Sequence, residues 1–182
     1  MNKKTTQRLR KLEASLNDLF QELSAYSDET LNTKPAPGKW SALQTMYHLL
    51  LAEGYAQRYV AKKLSFNPEL KKAGIGDWWR SLLLRFYLHA PFKFKAPAAV
   101  ADENLPTDTT LAETRELWLK QRRELVDQLK SYPTELFTKS LYKHPFAGRL
   151  TLDDMLMFYQ DHFDRHRKQI ERTLAAVNAQ VA

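Results

Sequence analysis

Residues 151–177, TLDDMLMFYQDHFDRHRKQIERTLAAV, decide the fold. Leu152, Met155, Leu156, Tyr159, Phe163, Ile170, Leu174 and Val177 recur at three- and four-residue steps, the spacing that lays an apolar stripe along one side of an α-helix. Asp153, Asp154, Asp161, Asp164, Arg165, Arg167, Lys168 and Arg172 fall mostly on the other side. His162 and His166 lie on the stripe. One helical turn apart, they project the same way, and two imidazoles so placed can reach one metal ion. An inward-facing histidine needs partners for its ring nitrogens, and burial penalises its charged form. Two arrangements meet that need: ligation of a metal, or a hydrogen bond from each imidazole to a facing Tyr, Asp or backbone carbonyl.

Working outward, a second helix is expected over residues 42–64. Ser41 is a favoured N-cap, Gln44 completes a capping box, and Trp40 sits just before the cap, where an apolar residue packs back as a staple. Gln44, His48, Leu51, Ala52, Tyr55 and Tyr59 share one side of this helix, so His48 is a third inward histidine. Residues 3–26, with Leu9, Leu12, Leu16, Leu19, Phe20 and Leu23, form the first helix. Pro35, Pro37 and Gly38 make 27–39 a loop. Residues 111–131 form the third long helix, with Leu111, Thr114, Leu117, Trp118, Leu125 and Leu129 inside, and 134–149 are a loop before the Thr151 cap of the last helix.

Residues 65–108 form a long connection between the second and third helices, holding a short helix at 77–90 that Pro91 ends. Trp78, Trp79, Arg80, Arg85, Phe86, Tyr87, Lys93, Phe94 and Lys95 make it basic and aromatic. Such a cluster can lie on a membrane, stack on bases, or pack its aromatics over a bundle; the shortness of the segment and the lack of a recognition motif favour packing. With no convincing strand alternation, the pattern predicts an all-α four-helix bundle, one domain over 1–182, with a crossover containing a short helix.

The 182 residues and 43% apolar content suit one folded domain with a full core. Without cysteine there is no disulfide and no thiolate ligand or nucleophile, so a transition metal must be held by His, Asp or Glu. That absence, a basic polar start without a signal-peptide pattern and the lack of a run long enough to span a bilayer lead us to expect a cytoplasmic protein. The formal charge of +7 is spread over many segments, the pattern of a solvated surface. No specific nucleic-acid or membrane partner is expected; a homodimer is compatible with a bundle.

KWSALQTMYHLLLAE (39–53) and HPFAGRLTLDDMLMFYQDHFDRHRKQIERTL (144–174) resemble the DinB/YfiT-like bundle proteins, a family of metal-dependent enzymes. The matching features are Trp-Ser opening the second helix with His48 beyond it, and a Gly-containing loop before H-x-x-x-H in the fourth. The resemblance implies that His48, His162 and His166 bind a divalent metal at one end of the bundle. The family includes thiol S-transferases and isomerases that use low-molecular-weight thiols, alongside many members of unassigned activity, so the resemblance implies the site and not the substrate.

Three neutral imidazoles leave metal positions open, as in catalytic sites that hold water or substrate. Zinc or nickel fits such a set best, and manganese or iron is compatible. Phe163 stands where a zinc peptidase of the H-E-x-x-H type has its glutamate, which rules out that reaction. No general base stands out; Glu53, Tyr55, Tyr159 and Asp164 are nearby polar residues. Gln44 and Tyr159, one turn before His48 and His162, are candidates to orient the ligands through hydrogen bonds, or are ordinary core-edge residues. His89 and His144 are not assigned as ligands. The expected function is a metal-dependent enzyme, an S-transferase or hydrolase acting on a small molecule with an activated thiol or water. The alternatives are a non-catalytic module that binds nucleic acid, lipid or protein through the crossover, and a bundle that keeps the histidines without metal.

Overall fold

A computed structural model describes residues 1–90 and 100–181, the last by its backbone only. In chain order the helices are α1 (Lys3–Leu23), α2 (Asp28–Asn32), α3 (Ala42–Leu64), α4 (Ile75–His89), α5 (Leu111–Ser131) and α6 (Leu152–Val181). The hairpin β1 (Tyr142–His144) and β2 (Gly148–Leu150) lies between α5 and α6. The four long helices form the bundle, and α4 is the short helix of the crossover. Lys93, Phe94 and Lys95 fall outside the described residues.

The helix ends follow from local chemistry. Ser41 Oγ accepts the Gln44 amide at 3.1 Å and Gln44 Oε1 accepts the Ser41 amide at 3.2 Å, the reciprocal cap expected for α3. Thr151 and Asp154 do the same for α6. The core fills along the apolar stripes. Trp118 of α5, fully buried, meets Phe20 of α1 and Phe163 of α6 edge-on, at centroid distances of 6.3 and 6.1 Å.

Several elements depart from the sequence reading. Within 27–39, residues 28–32 form α2, capped by Ser27 and anchored by the fully buried Leu31; five residues are too few to show a helical period. Within 134–149, Tyr142, Lys143 and His144 pair antiparallel with Leu150, Arg149 and Gly148. The three-residue strands are too short for alternation to stand out, and Gly148 supplies the left-handed turn residue at φ 78°. Leu117 is exposed, and Arg122 takes an inward position on α5 instead. Asp161 of α6 is buried rather than on a wet face, because α4 packs along that flank: Arg85 Nε donates to Asp161 Oδ2 at 3.0 Å and Ser81 Oγ to Asp154 Oδ1 at 2.8 Å. The aromatics of α4 do not pack over the bundle; Trp78, Trp79 and Phe86 are exposed.

One polar cluster crosses the core. The buried carboxylate of Glu53 accepts Arg122 Nη2–H at 2.6 Å and Trp118 Nε1–H at 3.1 Å, while Tyr159 donates its hydroxyl to the Glu53 carbonyl at 3.0 Å. Burial pushes the Glu53 carboxyl up, and the Arg122 charge and the two N–H donors oppose that shift. A buried pair of this kind adds little net stability, but removing one partner leaves the other charge uncompensated. Arg122→Ala is expected to lower the unfolding free energy by about 3–5 kcal/mol in urea titrations; a loss below about 1 kcal/mol would show that Glu53 is protonated in the fold and needs no counter-charge.

Candidate metal centre

Helices α3 and α6 pack side by side, so the three histidines predicted to face inward meet. His162 Nε2 lies 3.0 Å from His166 Nε2 and 3.4 Å from His48 Nε2, and the three ligand atoms lie within 4.8 Å of one another. Imidazoles that bind one zinc ion at about 2.0–2.1 Å with tetrahedral angles have their nitrogens about 3.3 Å apart. The two closest separations bracket that value. The donor set therefore fits a divalent ion.

The protons on the rings are set from outside the cluster. His48 Nδ1 lies 2.9 Å from the carbonyl oxygen of Val100, which can only accept, so that nitrogen carries the hydrogen and Nε2 presents a lone pair. His166 Nδ1 lies 3.1 Å from Gln169 Oε1, while Gln169 Nε2 points to Thr45 Oγ1 at 3.4 Å. This fixes the same tautomer in His166. The ring planes are held by aromatic walls: Phe158 stacks on His162 at 5.0 Å and 17°, and Trp40 lies 4.8 Å from His48 and 6.5 Å from His166.

Loss of hydration lowers the pKa of all three imidazoles. It lowers His48, brings His166 to about 3, and lowers His162 well below the usual imidazole range, where the neighbouring His166 and His48 add to the effect. They are neutral at physiological pH, the form that ligates metal.

His162 and His166 open into a cavity of about 1680 Å³ among the described residues, walled by α3, α4, α6 and the hairpin. His144, left without a role by its sequence context, lines this cavity. Its Nδ1 accepts the Phe146 and Ala147 amides at 3.2 and 3.1 Å, which places the proton on Nε2. Burial brings its pKa to about 4, so it is a neutral N–H donor, separated from His162 by the ring of Phe158. His89, at the end of α4, bonds the Arg85 carbonyl at 2.8 Å and stands apart from the three histidines.

The polar residues expected near the site are distributed differently. Gln44 spends its amide on the α3 cap and on the Pro106 carbonyl, 3.1 Å away, and makes no hydrogen bond to His48. Tyr159 and Glu53 belong to the core cluster around Arg122. Tyr55 and Asp164 do line the cavity, Tyr55 under the Arg58 guanidinium at 4.6 Å and Asp164 accepting Gln160 Nε2 at 2.7 Å. The orienting partners are instead Val100 and Gln169. Gln169, one turn after His166, was accessible to helical spacing; a carbonyl 52 residues from His48 carries no mark in the sequence.

Acid should weaken the metal-free fold. The unfolded chain's histidines titrate near 6.5, whereas His48, His144, His162 and His166 titrate lower when folded. Below that pH the unfolded state therefore binds more protons, and stability falls as pH falls. The urea midpoint of chelator-treated protein is expected to drop between about pH 7 and about pH 5, and a midpoint constant over that interval would show that these imidazoles are not held neutral.

A search of curated proteins finds no match to the chain. The sequence model of the DinB superfamily matches residues 8–170, a span that takes in α2 to α5, the hairpin, most of α1 and α6, and all three clustered histidines. By a match of that extent, the chain belongs to the DinB superfamily.

Proposed function

We propose that the protein is a divalent-metal-dependent enzyme in which His48, His162 and His166 hold one ion and the adjoining cavity takes a small-molecule substrate. The observation that carries this reading is the convergence of three Nε2 atoms, at 3.0 and 3.4 Å, with the His48 and His166 tautomers set by Val100 and Gln169. Three protein ligands leave room for an exchangeable group. Zinc or nickel fits an all-imidazole set, and manganese or iron is compatible with it. When bound, such an ion lowers the pKa of a coordinated water or thiol or polarises an oxygen.

The chain's own groups supply the rest. Val100 and Gln169 keep the lone pairs of His48 and His166 aimed at one point, and Trp40 and Phe158 hold the rings in place. The cavity wall carries eight Lys and Arg side chains against three acids, a balance that attracts an anionic substrate. His144 offers its Nε2–H to an oxygen or sulfur of that substrate without adding charge. With a low-molecular-weight thiol as substrate this arrangement serves S-transfer; with water it serves hydrolysis.

The test is metal content by elemental analysis of untagged protein. We expect about one equivalent in the wild type, lost in His48→Ala and His162→Ala and kept in His89→Ala and His144→Ala, with far-ultraviolet circular dichroism to establish that each variant is folded. A wild type that is empty and cannot be reloaded with zinc, nickel or manganese would overturn the proposal.

A further inference from the structure

Helix α4, IGDWWRSLLLRFYLH, is amphipathic with its apolar side turned out. Ile75, Trp78, Trp79, Leu82, Leu83 and Phe86 recur at helical spacing and are 79%, 58%, 52%, 41%, 61% and 71% exposed. The other side is fastened to the bundle. Leu84 and Leu88 are buried, Ser81 bonds Asp154 and Arg85 bonds Asp161, and Arg80 Nε donates to the Arg149 carbonyl at 3.3 Å. The outward face is therefore presented by a helix anchored at several points. Phe146, 66% exposed at the tip of the hairpin beside α4, adds to the apolar surface. Scattered exposed apolar residues are ordinary on a protein; a contiguous row of six on one helix is not.

Charge indicates what covers this face. Among the described residues, 62–90 hold six Lys and Arg against only Glu69 and Asp77, a net charge of +4 out of the chain's +7. That is more than half of the chain's net charge, and Asp77 is already paired with Arg80 at 3.0 Å. A second copy meeting this face across a two-fold axis would set the same positive segment against itself. Nucleic acid matches the charge but not the aliphatic Ile75, Leu82 and Leu83, which neither stack on bases nor hydrogen-bond to them. An anionic lipid surface matches both properties. Trp, Phe and Leu settle at the boundary between headgroups and acyl chains, and flanking lysines and arginines meet the phosphates.

We propose that α4 is a docking surface for anionic lipid bilayers. No helix among the described residues is long and apolar enough to cross a membrane, so attachment by this face is interfacial. Because Leu84 and Leu88 of the same helix line the cavity of the histidine cluster, docking brings a wall of that cavity to the bilayer surface. This inference does not depend on metal binding.

The experiment is co-sedimentation of the full chain with vesicles of phosphatidylglycerol and phosphatidylcholine, compared with phosphatidylcholine alone. We expect binding to the anionic vesicles, weakened by added salt, with a blue shift of tryptophan emission as Trp78 and Trp79 leave water. Leu83→Glu/Phe86→Glu, at exposed positions, should reduce partitioning more than about tenfold while leaving circular dichroism and metal content unchanged. Absence of binding to anionic vesicles, or equal binding to neutral ones, would overturn the proposal. So would a concentration-dependent dimer in sedimentation velocity that the double variant dissolves and that binds no vesicles, since the face would then belong to a second copy.

Discussion

Helix α6 is packed by α1, α3 and α4, and a helix enclosed on three sides has little solvent left for its polar residues. Each must find a partner on a neighbour or cost the free energy of an unpaired buried group. Asp153 accepts Thr5 Oγ1 of α1 at 2.9 Å, Asp154 and Asp161 take Ser81 and Arg85 of α4, Gln160 reaches Ser15 at 3.2 Å, and Arg167 pairs with Glu22. The crossover helix is held by these obligations as much as by apolar contact. Its position, and with it the shape of the cavity, follows from the need to satisfy the acids of α6.

Gln160 Oε1 is left without a partner, and the histidine cluster leaves the rule open at a larger scale. His48 and His166 have their Nδ1 protons directed away from each other, so their Nε2 lone pairs both face His162 Nε2. A proton on His162 Nε2 can serve one of those acceptors at a time, and burial resists adding a second proton to the group. The His48 and His166 lone pairs share one His162 proton among the described residues, an arrangement that a metal cation can complete.

The bundle was legible because its determinants are local. The stripe of α6, the Ser41 and Gln44 cap and the prolines that end helices all act within a few residues. The hairpin and α2 were not, since elements of three to five residues carry no measurable period. Asp161 was misplaced for a related reason: amphipathicity distinguishes polar from apolar faces, but a polar face can be covered by another helix that brings its own charges. At the site, the three histidines could be placed on inward faces from spacing alone. Their orienting partners could not, because Val100 acts through its backbone and because the Gln44 amide nitrogen is taken by the Pro106 carbonyl, 62 residues away. The cavity role of His144 depends on a hairpin that the sequence did not reveal.

The return of the crossover is joined to the start of α3 at three points: the Val100 carbonyl to His48, Asp102 to Trp40 Nε1, and the Pro106 carbonyl to Gln44 Nε2. One of these joints sets the tautomer of a histidine in the cluster, and another steadies the ring that covers it. Order in residues 100–106 and affinity at the cluster are thus thermodynamically linked, and linkage is reciprocal. A ligand held by the cluster would favour the ordered form of this return segment, and a pull on residues 100–106 would reach the centre through His48 and Trp40, so the return is a lever on the centre rather than a passive connection.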